Sequence, residues 1–184
     1  MARTHRFFKD KKEVDFVILR EGYRKQRNPM FLEYVKGCKE NDIPIHAVYH
    51  FCYAADQQRW AEEAQSCISN VEKAGLGKDI IIFFDFEYDT VKKAADQGVK
   101  LGKPECIAFA RASGNYIESK GYTAGVYVNM DYYKNMYDEE TMRRYKFWLA
   151  DYSESSGCEM PLSSVYQFRK SIRNRRQRRY ELLL

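Results

Sequence analysis

From residue 13 to residue 168, short apolar runs alternate with stretches in which apolar residues recur at helical spacing. EVDFVILRE (13–21) is compact and rich in β-branched and aromatic residues, so it predicts a strand. After the loop EGYRKQRNP, residues Phe31, Tyr34, Val35 and Cys38 share one face of a predicted helix over 31–42, which Pro44 is expected to end. IPIHAVYHFCY (43–53) predicts the next strand. Residues 56–75 predict a long helix, with Asp56 at its N-cap and Gly75 at its stop. KDIIIFFDFEYD (78–89) predicts a strand apolar on both faces, as a parallel strand covered on two sides would be. Pro104 opens and Gly121 closes a predicted helix over 104–122, and the strand YTAGVYVN (122–129) follows. A short helix, DEETMRRYK (138–146), and two short strands, FWLADY (147–152) and SVYQF (164–168), complete the pattern.

Repeated strand–helix–strand units need crossover connections, so the fold class is α/β with a parallel sheet. A doubly wound sheet and a closed α/β barrel both satisfy the pattern. No GxGxxG or GxxxxGK[ST] run stands at a strand end, so nucleotide binding has no support. No apolar stretch reaches the length of a membrane-spanning helix, and no membrane partner is expected. The leading residues, MARTHRFFKDKK, lack the apolar region of a signal peptide. The chain as written is therefore expected to be cytoplasmic, meeting a cell wall if released or exported.

Charge changes the picture only at one end. The net charge of +5 arises from residues 169–184, which carry +6, while the rest sums to −1. A basic tail suits nucleic acid or an anionic membrane, but the near-neutral body holds no known nucleic-acid motif, so no nucleic-acid partner is expected. The domain reading is a globular unit over 1–168 and a basic tail over 169–184. Five cysteines (Cys38, Cys52, Cys67, Cys106 and Cys158) show no CxxC pair, and reduced, buried thiols are expected. No metal or other cofactor is expected. His50, on a strand beside aromatic residues, is expected to be hydrogen-bonded and structural.

The chemistry-bearing segment is Phe84-Asp85-Phe86-Glu87-Tyr88-Asp89. Asp85 and Glu87 stand two apart on a strand and so point to one side, at the C-terminal end of the most apolar run. Two carboxylates against an apolar wall push their pKa values apart, leaving one as a proton donor and the other ionised. Glycoside hydrolysis uses such a division. A D-x-E pair alone also fits a solvated strand end, or a Mg²⁺ or Ca²⁺ site, although no further acid cluster supports a metal.

Five segments, in order, resemble the glycoside hydrolase family 25 lysozymes: DFVILREGY (15–23), AVYHFCYA (47–54), FFDFEYD (83–89), GYTAGVYVN (121–129) and FWLADY (147–152). The resemblance covers residues 13–168. It implies an irregular TIM-like (β/α) barrel with fewer helices than a full (β/α)₈ barrel. It implies cleavage of the β-1,4 bond between N-acetylmuramic acid and N-acetylglucosamine in peptidoglycan; a monomer acting on glycan strands is expected. It makes Glu87 the general acid and Asp85 its assistant, and it puts Tyr49, Tyr127 and Asp151 near the sugar groove, with Trp148 in the core or groove wall. The alternative is an inactive remnant that binds peptidoglycan or another carbohydrate. Both ends depart from the resemblance: the family's opening G-x-D-V-S and W-Q-G motifs and its closing G-N-V-D motif are not found. A one-nucleotide shift of reading frame at each end would account for this, so the first strand is expected to be missing and the last altered.

Overall fold

A computed structural model of the protein describes residues 16–151, 165–169 and 180–183, with the backbone alone from Asp151 onward. The sheet-forming segments are β1 (Phe16–Tyr23), β2 (Gln26–Arg27), β3 (Ile45–Phe51), β4 (Ile81–Asp85), β5 (Thr123–Asn129), β6 (Lys146–Asp151), β7 (Val165–Arg169) and β8 (Tyr180–Leu183). The helices are α1 (Phe31–Glu40), α2 (Gln57–Lys73), α3 (Tyr88–Ala95), α4 (Lys103–Ser119), α5 (Met130–Asn135) and α6 (Glu139–Arg144). Strands β1, β3, β4, β5, β6 and β7 pair in that order, all parallel. The outer edge of β1 is shared. Its first half pairs in parallel with β8, and its last two residues pair with the antiparallel β2.

The expected α/β class holds, but among the described residues β7 and β8 do not pair, so the sheet does not close into a barrel. It is nevertheless strongly curled. Tyr49 on β3 and Trp148 on β6 are three strands apart, about 14 Å in a flat sheet, yet their ring centroids lie 5.7 Å apart. One face of the sheet packs against the helices in the large core, through Val17, Leu19, Val48, Ile82, Phe84, Val126 and Leu149. The other face closes on itself in a small cluster drawn from strands alone: Ile18, Ala47, Tyr49, Ile81, Phe83 and Trp148, with Phe16 and Tyr127 at its margin. Gly125 permits this inward packing, because a Cβ there would run into the Phe83 ring.

Local signals explain most boundaries. Asp56 caps α2, its Oδ1 accepting from the Arg59 N–H at 2.9 Å, and Gly75 leaves the helix with φ +63°. Pro104 lies in the first turn of α4, and Gly121 follows its end with φ +81°. Other boundaries differ from expectation. Helix α1 ends at Glu40, ahead of Pro44, because Asn41 returns its side chain to the Gly37 carbonyl and Asp42 turns left-handed with φ +54°. The loop after β1 is a tight hairpin, and Gly22 allows it because a Cβ would meet the Gln26 carbonyl. The strand expected to reach residue 89 stops at Asp85, and α3 begins at Tyr88. Strand β8 comes from the segment expected to be a basic tail outside the domain, and it pairs with β1. The expected loss of a strand before residue 13 lies outside the described residues.

Candidate active site

Asp85 is the last residue of β4 and sits on the helix-free face, in line with Ile81 and Phe83. Its neighbours across the sheet are Phe51 on β3 and Tyr127 on β5, and Tyr127 in turn pairs with Trp148. Extended backbone continues for two residues past the strand, with Glu87 at φ −132° and ψ −174°. Phe86 therefore turns into the helix-side core, and Glu87 returns to the side of Asp85. Several bonds pin this corner. The Cys52 N–H donates to the Asp85 carbonyl at 2.8 Å. The buried Thr90 hydroxyl donates to the Cys52 carbonyl at 2.6 Å and accepts from the Glu87 N–H at 3.3 Å.

Asp85 is buried, at 5% exposure, and its Oδ1 has no hydrogen-bond partner. Burial is the main force holding its carboxyl well above the ordinary range; the charge of Glu87 adds to this and that of Arg20 opposes it. Glu87 is half-buried and also raised, by burial first and then by Asp89, while a hydrogen bond from the Asn129 side chain pulls it down. Asn129 is aimed for this. Its Oδ1 caps α5 by accepting from the Tyr132 N–H at 2.9 Å, which leaves its amide nitrogen for Glu87. The two carboxyls are moved unequally: Asp85 stands well above its ordinary range, and the shift of Glu87 is opposed by Asn129. Both are raised because both leave water, and among the described residues Arg20 is the cation that opposes the shift of Asp85. Each carboxyl therefore holds its proton to a higher pH than the same group in water.

The predicted aromatic residues gather around the pair. Trp148 is the hub, packing edge-to-face against Tyr49, Phe83 and Tyr127 with centroids 5.7, 5.6 and 4.9 Å away. Among the described residues its indole N–H, like Asp85 Oδ1, is buried without a partner. Tyr49 feels the charges of Arg20, Asp85 and Glu87, and burial keeps its phenol protonated. The Asp151 backbone pairs with Arg169, and its side chain lies outside what is described. Sequence reasoning missed Arg20, Asn129 and Thr90. Arg20 lies within reach of the Tyr23 and Phe51 rings, at 5.6 and 5.9 Å, and pairs across the sheet with Tyr49.

His50 lies on the opposite face of the sheet. It is buried between Glu21, 2.7 Å from Nδ1, and Glu63 on α2, 3.1 Å from Nε2. Asn70 donates to Glu21 at 2.6 Å. Ligand atoms of Glu21, His50 and Cys67 lie within 4.8 Å of one another, close enough for a metal ion. Both ring nitrogens of His50 and both oxygens of Glu21 are already engaged, so the cluster is complete as a hydrogen-bonded network.

The sequence profile of glycosyl hydrolases family 25 matches residues 7–175. The chain belongs to that family. The match runs past both of the boundaries at which the resemblance was expected to stop. Among solved structures, the fold is similar to three bacterial or phage wall lysins. The modular autolysin LytC of Streptococcus pneumoniae superposes with a TM-score of 0.70 at 22% identity, over 84% of this chain and 36% of LytC. The spore cortex lytic enzyme SleM of Clostridium perfringens gives 0.65 at 18% identity, over 85% of this chain and 52% of SleM. The catalytic domain of endolysin ply40, from bacteriophage P40 of Listeria monocytogenes, gives 0.60 at 20%, over 82% of this chain and 70% of that domain. The chain thus corresponds to little more than a third of LytC and about half of SleM. No curated protein sequence matches it. Among the described residues no helix is long and apolar enough to cross a membrane.

Proposed function

We propose that this chain is a muramidase that hydrolyses the β-1,4 bond between N-acetylmuramic acid and N-acetylglucosamine in peptidoglycan, acting as a monomer. The observation that carries the reading is the placement of two raised carboxyls, Asp85 and Glu87, at the C-terminal end of β4, on the aromatic, helix-free face of the sheet of a family 25 chain. Parallel α/β barrels build their sites at that end. Support comes also from the family's relatives: LytC has been solved with a synthetic peptidoglycan ligand. We read the curled sheet as the wall of an irregular (β/α) barrel, with β7 and β8 flanking its seam.

In this reading Glu87 is the proton donor. It is half-buried, its carboxyl is raised, and Asn129 fixes its orientation. As the glycosidic bond breaks, Glu87 protonates the leaving oxygen and positive charge develops on the sugar ring. Asp85 stands two residues away, and its unpartnered oxygen faces the substrate side, where it orients the sugar's N-acetyl group or steadies that charge. Tyr49, Tyr127, Trp148 and Asp151 line the groove. The test is release of reducing ends from purified peptidoglycan. Glu87→Gln keeps the shape and loses the proton, and should lower the rate by about 10²-fold or more. Full activity in that variant would remove Glu87 from the reaction.

A further inference from the structure

We propose that Tyr88 is a stacking shelf for one pyranose ring of the glycan, a binding subsite immediately beside Glu87. Among the described residues Tyr88 is the most exposed large hydrophobic side chain, at 56%. An exposed aromatic ring is usually loose, but this one is held. Its hydroxyl donates to Asp131 at 2.5 Å, and its ring stands edge-on to the buried Tyr132, with centroids 4.9 Å apart and planes at 84°. Asp131 is itself braced by the Asn135 amide at 2.7 Å, and the Tyr88 hydrogen bond is the main reason its carboxyl stays below the ordinary range. The acceptor is therefore a fixed carboxylate rather than a proton-exchanging one. Helix α5 carries Asp131, Tyr132 and Asn135, and it is capped by the same Asn129 that orients Glu87. The acid and the exposed ring thus hang from one short helix at the C-terminal ends of β4 and β5.

A rigid, solvent-facing ring loses little conformational freedom when a ligand covers it, which favours binding over the same ring left mobile. Sugar rings present a face of C–H bonds that covers apolar area, while their hydroxyls remain in water. An aromatic face with its polar handle already tied back suits that chemistry. This inference rests on the muramidase reading, and its test separates the two. In a Glu87→Gln background, calorimetric titration with a soluble peptidoglycan tetrasaccharide (two disaccharide repeats) should show binding. Adding Tyr88→Ala should weaken it about tenfold, the upper end for loss of one aromatic contact. Tyr88→Phe and Tyr88→Trp, which keep a ring, should bind within about threefold of the parent, and all three should melt within a few degrees of it. Tyr88→Ala binding as tightly as the parent would overturn the shelf while leaving the muramidase reading in place. A parent that ignores the tetrasaccharide at millimolar concentration would overturn both.

Discussion

Replacing Asp85 by Asn should make the protein more stable while removing the proposed chemistry, and the gain should depend on pH. Among the described residues Asp85 is buried at 5% exposure, its Oδ1 has no partner, Glu87 repels its charge, and Arg20 offsets this in part. A buried polar atom without a partner costs about 1–3 kcal/mol, and more when charged. Asparagine keeps the volume and removes the charge, but its amide hydrogens also want partners, which gives back roughly 1 kcal/mol. Taking about 2–3 kcal/mol for the charged form at pH 8, the net gain is about 1–2 kcal/mol. At ~2–4 °C per kcal/mol for a chain of this size, Tm should rise by about 2–8 °C. The raised carboxyl fixes the sign of the pH dependence. In acid the aspartate is neutral in both the folded and unfolded chain, and no penalty exists. As pH climbs past the ordinary aspartate value of about 4, the unfolded chain ionises first and the native state falls behind. Thermal melts of both proteins across pH 4.5–8 would show the gap widening with pH. A variant that is less stable at pH 8, or a gap that does not change with pH, would refute the account of Asp85 as an uncompensated buried acid.

Four further outcomes follow from the same geometry. His50 is held protonated by Glu21 and Glu63, which outweigh its burial and raise it to about 9; the stability this supplies is complete below about pH 6.5 and is lost as pH rises through about 9, so chemical denaturation midpoints should fall over that window. His50→Gln leaves two buried carboxylates without their cation and should cost about 3–5 kcal/mol, read by urea denaturation. Asn129→Ala removes the bond that favours the ionised form of Glu87, so the alkaline limb of the pH–rate profile should move to higher pH; an unmoved limb would mean that Asn129 acts only as the α5 cap. Gly125→Ala drives a methyl into the Phe83 ring and should destabilise by about 1–3 kcal/mol in thermal melts.

The elements that the sequence states most clearly are those with a chemical mark at each end. Asp56 and Gly75 bound α2, and Pro104 and Gly121 bound α4, because a cap oxygen, a ring-locked nitrogen and a left-handed turn each need particular residues. The strands were legible for a different reason, their apolar runs. Yet a run buried on both faces does not say which residues face which layer. Arg20 and Glu21 are neighbours in sequence, but one joins the carboxylate pair and the other binds His50 on the far side of the sheet. Alternation puts the two on opposite faces, but only the curl of the sheet, which brings Tyr49 to Trp148, shows which face closes on itself.

The sequence marked Asp85 and Glu87 but not Asn129 or Thr90, and for those two one cause serves. Glu87 and Asn129 both lie where a strand gives way at once to a helix, and each serves as the helix N-cap. Extended backbone carries the two-residue alternation past the last sheet bond, so Phe86 still reads as strand although pairing ended at Asp85. Helices α3 and α5 then begin inside what looks like the same apolar run, and no loop residue marks the change. A cap oxygen in that position has two jobs. Asn129 spends its carbonyl on the Tyr132 N–H and so turns its amide toward the Glu87 carboxyl; the Glu87 N–H donates to the Thr90 hydroxyl, which holds the backbone beneath that carboxyl. The abrupt strand-to-helix turn thus orients the proton donor, and the same abruptness hides the turn from a reading by periodicity.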